Sequence, residues 1–362
     1  MEPSKLLTII IPTYNMEKYL HKCLDSLIVS DETMLQLEVL VVNDGSKDSS
    51  SQIAHEYEGK YPQTFRVIDK ENGNYGSCIN RGLKEATGKY VKVLDADDYF
   101  ESHCFNSFIS FLKYIDVDLV ISDYAIVGNM DNVESEFTFD LPVGRTFAIE
   151  DIPSGIVEWL WHQGITYRRD IFKMFDYKQT EGISYTDDEW VFKPMAEVKD
   201  VVYYPHILYF YLRGRVGQTF DPKVVRRTLE HRIIVAKEMI SFYAEHSLSC
   251  KSGNISFLTR KLSSRIKSIY SYHLILFESK EGMKRIIEFD HFLKRVSPTL
   301  YEASNSETNK YGWHFIRQWR QMGYSIYSPA LILGRWKQFF QRLLGHNDVK
   351  IEYLPLALRR KS

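Results

Sequence analysis

Lys89-Tyr90-Val91-Lys92-Val93-Leu94-Asp95-Ala96-Asp97-Asp98-Tyr99 reads as a short buried strand that ends in three carboxylates within four positions. Like charges at that density repel, and burying even part of them is costly. A cation at the turn relieves both problems, and a divalent ion carrying a polyphosphate is the simplest candidate. Mg²⁺ and Mn²⁺ favour oxygen ligands, and Mg²⁺ is typically held by one or two carboxylates with substrate phosphates completing its shell. The competing reading is a solvated acidic turn that caps the next helix. The flanking sequence weighs between the two.

Apolar runs and helical stripes alternate on both sides of this stretch. Leu6 to Ile11 is an apolar run closed by Pro12, and Leu37 to Val42 is another that ends in Asn43-Asp44-Gly45-Ser46. Phe65 to Ile68 and Asp118 to Ser122 complete the set of early strands. Between them, Glu17 to Ile28, a segment opened by a Ser49/Gln52 capping box, Gly76 to Thr87, and a segment with Phe105, Phe108, Ile109 and Leu112 have helical spacing. Such alternation predicts an α/β fold with a parallel sheet and right-handed crossovers. Ligands on these sheets bind beyond the carboxyl ends of the strands. The turns Pro12-Thr13-Tyr14-Asn15, Asn43-Asp44-Gly45 and Asp95-Ala96-Asp97-Asp98 are therefore expected to share one edge.

From residue 124 the pattern loosens. Tyr124 to Val127 and Phe137 to Phe139 suggest a hairpin around Gly128-Asn129, Pro153 to Trp161 a helix, and Gly164 to Tyr167 a strand. Thr186 to Glu197 reads as a helix opening on Asp187, Asp188 and Glu189, acids that suit a helix dipole. Val201 to Tyr204 and Ile207 to Leu212 read as two further strands, and the chain beyond 221 as mainly helical. Two domains are expected, 1–220 and 221–362.

Of the 46 Lys/Arg and 47 Asp/Glu, residues 221–362 hold 25 and 12, leaving 21 and 35 in residues 1–220. A basic C-terminal half suits either the acidic half or an anionic partner. Its segment from Leu331 to Leu344 is basic and amphipathic with Trp336, Phe339 and Phe340, the composition of a peripheral membrane helix. No nucleic-acid motif accompanies the basic residues, so no nucleic-acid partner is expected. The four cysteines make no metal pattern, which points to a reducing cytoplasm. No apolar run approaches the length of a membrane span, and the N-terminus has no signal layout. The expected location is cytoplasmic, with peripheral attachment to the inner face of the membrane.

With these turns in order, residues 1–220 resemble the family 2 glycosyltransferases, whose GT-A fold is a Rossmann-like, mostly parallel sheet flanked by helices. The matching pieces are IIIPTYNMEKYLHKCLDSL, LEVLVVNDGSKDSS, GLKEATGKYVKVLDADDYF, YTDDEW and YLRGRVGQT. The resemblance stops at about residue 220, leaving a mainly helical C-terminal extension. It implies an inverting, metal-dependent transfer from a nucleotide sugar, a UDP-sugar first, to a hydroxyl of a glycan or lipid-linked acceptor in surface polysaccharide synthesis.

Residue by residue, the resemblance places Pro12, Thr13 and Tyr14 at the nucleotide base and gives Asp44 a hydrogen bond to it. Asp95 and Asp97 match the DxD pair, with Asp95 toward the ribose and Asp97 on Mg²⁺ or Mn²⁺, and Ala96 lies between them. Asp98 either meets the donor or caps the following helix. Asp188 matches the catalytic base, with Asp187 and Glu189 expected to raise its proton affinity. Arg213 and Arg215 are expected on the diphosphate. Trp190, Trp161 and His162 are acceptor candidates, each with core packing as the alternative, and His206 is either a third metal ligand or structural. Ile79 stands where many relatives have Arg, and Gln218 where many have Ser.

Two other classes compete. A sugar nucleotidyltransferase needs a Gly-rich basic loop after the first strand, where this chain has Pro12-Thr13-Tyr14-Asn15. A non-catalytic carbohydrate-binding scaffold has no need of the full set of acids. A processive membrane synthase is excluded by the absence of spans and of a QxxRW motif.

Overall fold

The computed structural model of the chain describes residues 5–128, 131–215, 218, 222–276, 279–309, 312–325, 327–332 and 336. They form two compact units that divide after Gln218. In the first unit, Leu7–Thr13 (β1) and Leu37–Asn43 (β2) are buried almost end to end, as strands covered on both faces must be. The remaining strands are Phe65–Asp69 (β3), Tyr90–Val93 (β4), Tyr99–Phe100 (β5), Leu119–Val127 (β6), Val133–Phe137 (β7), Phe147–Ala148 (β8), Ile165–Arg168 (β9) and Asp200–Leu212 (β10). Their order across the sheet is β3-β2-β1-β4-β9-β6-β10-β5, with β7 on β6 and β8 on β10. The strands β3, β2, β1, β4, β6 and β10 all run one way.

Short β9 lies antiparallel between β4 and β6, a direction that its four residues do not encode. The two strands expected at 201–204 and 207–212 are one strand whose pairing with β6 shifts register between Tyr204 and Tyr209, around Pro205. Proline has no N–H for the ladder, so the strand bends there and continues. Asp118–Ser122 and Tyr124–Val127 likewise merge into β6, which pairs with β7; the second strand of this hairpin is Val133–Phe137 and not the expected Phe137–Phe139, and Asn129 lies outside the described residues.

Four helix readings change, the first being Glu17–Ile28, which is an α-helix only over Leu20–Asp25. The segment at 153–161 holds only one helical turn, Ser154–Val157. The segment opening at 186 is an α-helix over Asp187–Phe192, which tightens into a 3₁₀ turn over Lys193–Ala196, where Pro194 removes a donor. The expected Ser49 cap does not form. Asp48 serves instead, its Oδ1 accepting from the Ser50 N–H at 3.0 Å and the Ser50 hydroxyl at 2.6 Å.

The second unit is helical: Pro222–Arg227, Leu229–His246, Ser252–Ser271, Lys280–Val296, Pro298–Ser304 and Phe315–Gln321. Leu262, Ile266, Phe289, Leu293, Ile316 and Trp319 are buried in it. The amphipathic stretch expected at 331–344 lies mostly outside the described residues; within it, Leu331 is buried and Trp336 exposed. No helix among the described residues is long and apolar enough to cross a membrane.

Candidate active site

The parallel register sets Ile10 of β1 beside Val93 of β4 and Thr13 beside Asn43 of β2. The three polar turns therefore leave the sheet at its carboxyl edge together. Asn15 adopts φ 55°, and its side-chain carbonyl accepts from Lys47 N–H at 2.8 Å while its own N–H reaches Ser46 Oγ at 3.0 Å, which ties the first two turns to each other. Tyr14 is 45% exposed, open enough to stack on a ring, whereas Thr13 is buried with its hydroxyl on Ile11 O. Asp44 is buried, and its Oδ1 accepts from Lys70 Nζ at 2.5 Å and Gly73 N–H at 2.9 Å.

Each acid of the triplet has its own partners. Ligand oxygens of Asp95, Asp97 and Asp98 lie within 4.8 Å of one another. Asp95 takes the Tyr75 hydroxyl on Oδ1 at 3.1 Å and has His162 Nε2 3.2 Å from Oδ2. Burial opposes its ionised form, but His162, Tyr75 and Arg215 outweigh it and hold the carboxyl below the usual carboxylate range. Asp97 pairs with Arg215, and burial still pushes its carboxyl upward. Asp98 is fully enclosed, accepting from the Tyr209 hydroxyl at 2.6 Å and Leu212 N–H at 2.8 Å. Burial and the charges of Asp97 and Asp95 push it well up.

Asp98 therefore holds β10 to the turn, and the helix cap belongs to Glu101, which accepts from Cys104 N–H at 2.5 Å. Asp97 and Asp95 remain as oxygen donors at the crevice. A hard divalent cation fits them, because three close carboxylates face one guanidinium and one imidazole.

The acidic helix start comes to the same crevice. Tyr185 is held at φ 68°, strained for a bulky residue, directly before Thr186 and Asp187. The helix Asp187–Phe192 packs on the turn His162–Gly164. The charge of Asp187 acts on both His162 and Tyr75, the two partners of Asp95. Asp188 follows, half-buried, its N–H 3.4 Å from Tyr185 O.

A profile of glycosyl transferase family 2 matches residues 8–175. Those residues are a family 2 glycosyl transferase domain. The uncharacterised glycosyltransferase MG025 of Mycoplasma genitalium is 42% identical over 125 residues, 34% of this chain and 41% of that protein. The chain thus aligns with less than half the length of that relative. The uncharacterised glycosyltransferase EpsJ of Bacillus subtilis is 24% identical over 307 residues, 82% of this chain and 88% of its own. Among solved structures, residues 1–349 of Staphylococcus aureus TarS in complex with UDP-GlcNAc superpose with a TM-score of 0.65 at 19% identity, covering 94% of this chain and 92% of that one. This likeness establishes the GT-A fold, with its mostly parallel sheet and helical C-terminal region.

In the first unit some expected site residues belong elsewhere. Trp190 is core: 1% exposed, it stacks on Phe172 at 4.8 Å and cannot wall a groove. Glu189 points inward, fully buried, onto Lys193 at 2.6 Å and Thr180 N–H. His162 is buried against Asp95, which removes it from direct acceptor contact. Trp161 is half-buried in a stack with Tyr124 and Phe137. Arg213 stands exposed while Arg215 reaches Asp97. His206 is exposed beside Tyr204, and among the described residues the metal-capable group is the Asp triplet alone, so it is no third ligand.

Tyr209, Lys70 and Lys92 were not singled out from the sequence, whereas Tyr75 lies in Gly73-Asn74-Tyr75-Gly76-Ser77, the segment that the family resemblance sets on the base and ribose side. For Tyr75 a signal existed. Gly76 follows it at a place where any Cβ would come 2.0 Å from Thr180 O, so that only glycine lets this helix pass close to the 180–189 loop. Lys92 also left one, as a charged residue inside an otherwise apolar strand.

Proposed function

We propose that the chain is an inverting, metal-dependent glycosyltransferase that moves a sugar from a nucleotide diphosphate sugar to a hydroxyl of a glycan or lipid-linked acceptor in surface polysaccharide synthesis. One observation carries this reading: three carboxylates within 4.8 Å sit at the strand edge where the first two turns and the 185–189 turn also arrive. The TarS complexes with UDP-GlcNAc and UDP support a uridine donor.

Tyr14 offers its exposed ring to the base, and Asp44, fixed by Lys70 and Gly73, presents its carboxylate beside it. Asp97 and Asp95 would hold Mg²⁺ or Mn²⁺, which when bound neutralises the diphosphate and its leaving charge. Arg215 leaves Asp97 for the phosphate oxygens, and Arg213 adds a second guanidinium. Asp188 takes the proton from the acceptor hydroxyl as that oxygen attacks the anomeric carbon. Asp187 is the second candidate for this role, favoured by the reach of its charge to His162 and Tyr75. Trp161 offers an aromatic face to an acceptor sugar. The basic second unit and the 331–344 stretch serve peripheral attachment to an anionic leaflet on the cytoplasmic side, which liposome co-sedimentation at low salt would detect.

The deciding experiment is a panel of UDP-, GDP- and dTDP-sugars assayed for Mn²⁺- or Mg²⁺-dependent hydrolysis, then for transfer to lipid-linked acceptors. Turnover of one donor in the presence of metal supports the reading. Binding of glycans without turnover of any donor supports a scaffold instead.

A further inference from the structure

We infer that His162, seated by Lys92, is a positioning residue for Asp95; the inference rests on the reading of Asp95 as part of the donor site. Lys92 is fully buried on β4 between Val91 and Val93. An ammonium is costly to bury unless its hydrogens find acceptors. Here Nζ donates to the carbonyl oxygens of Gln163 at 2.6 Å and Ile165 at 3.1 Å, and lies 5.7 Å from the Tyr209 ring centroid and 6.0 Å from that of Phe100. Those carbonyls belong to the turn that begins at His162 and to the first residue of β9. Lys92 thus bolts the turn carrying His162 to β4, two residues after which Asp95 follows.

His162 is 5% exposed, too enclosed to meet a sugar, and stands edge-on to Tyr209 at 6.1 Å. Its Nε2 is close to Asp95 Oδ2, but the approach is off the line of a finished hydrogen bond, and no other acceptor takes that nitrogen. Tyr75 is bonded to Oδ1 and His162 stands beside Oδ2, so each carboxylate oxygen has one inward neighbour out of about four lone-pair positions in all.

The test is calorimetry of UDP with Mn²⁺ on the full chain, with donor kinetics alongside. His162→Leu keeps the volume and removes the donor, while His162→Gln keeps an N–H at similar reach. Leu should weaken UDP binding by roughly 10–100-fold, as loss of an outer partner of a metal ligand does, and raise KM more than it lowers kcat. Gln should bind within about threefold of wild type, that is, within about 0.65 kcal/mol. Adding His162→Leu to Asp95→Asn should cost nothing further, and Lys92→Met should weaken binding without adding to His162→Leu. Equal affinities for the Leu and Gln variants, with Asp95→Asn crippled, overturn the inference and leave the donor site standing. Unchanged binding in Asp95→Asn overturns the donor-site reading and the inference together.

Discussion

Two Asp–Arg pairs, one in each unit, have opposite surroundings. In the second unit Asp290 is fully enclosed and Arg320 meets it through Nε at 2.8 Å and a terminal nitrogen at 2.7 Å. The remaining guanidinium donors reach Tyr301 O and Asn305 Oδ1, and the hydroxyls of Tyr270 and Tyr324 complete the carboxylate. Charge and hydrogen bonds are both balanced by the chain, and the result locks helices 252–271, 280–296 and 315–321 together. In the first unit Asp97 also meets an arginine, but Asp95 and Asp98 crowd beside it. A satisfied pair is structural material. An acid cluster with one guanidinium stores repulsion that a substrate-borne cation can relieve.

The contrast can be broken most sharply at the chemistry. Asp188→Asn should lower transfer by about 10²–10⁴-fold, the span of general base catalysis, with UDP affinity nearly unchanged. A wild-type rate would remove Asp188 from the mechanism, and Asp187→Asn measured alongside assigns the base. Stability comes next. Asp290→Ala should destabilise the second unit by about 3–5 kcal/mol in denaturant titration, because Arg320 is left buried and unpaired. Asp97→Ala should leave the fold near wild-type stability while metal-dependent UDP binding disappears; a comparable loss of stability would make the triplet structural after all.

A smaller effect tests the stored repulsion directly. UDP with Mn²⁺ at about 100 times its Kd should stabilise the first unit by about 2.7 kcal/mol, read as a shift in its melting, and Asp97→Ala should abolish the shift. The smallest is the pH dependence due to Lys92. Burial pushes its ammonium down to about 7 from an ordinary 10.5, so between those values the unfolded chain binds the extra proton. Stability therefore gains from this residue as pH rises through that window, and Lys92→Met should flatten the slope in pH-dependent denaturation.

Much of the first unit was legible in the sequence because its signals are local. The runs at 6–11 and 37–42 are apolar on both faces, each ends in polar turn residues, and strand direction follows from the helices between them. Local signals failed where a neighbour decides. Trp190 and Trp161 have the same chemistry, yet one is sealed against Phe172 and the other half-open on Tyr124. The three acids opening helix 187–192 looked alike, and only the position of Lys193 four residues on, with Thr180 across the loop, turned Glu189 inward.

The sequence by itself determined that strands would deliver Tyr14, Asp44 and the Asp95–Asp98 turn to one edge, since periodicity and turn chemistry are properties of adjacent residues. The tertiary structure alone decided which acid does what. Asp97 received an arginine 118 positions away and Asp98 a tyrosine 111 away, while Asp95 was left between Tyr75 and His162. Identical carboxylates spaced within four residues carry no local mark of such partners. Their burial, charge and availability come from the side chains that packing brings against them.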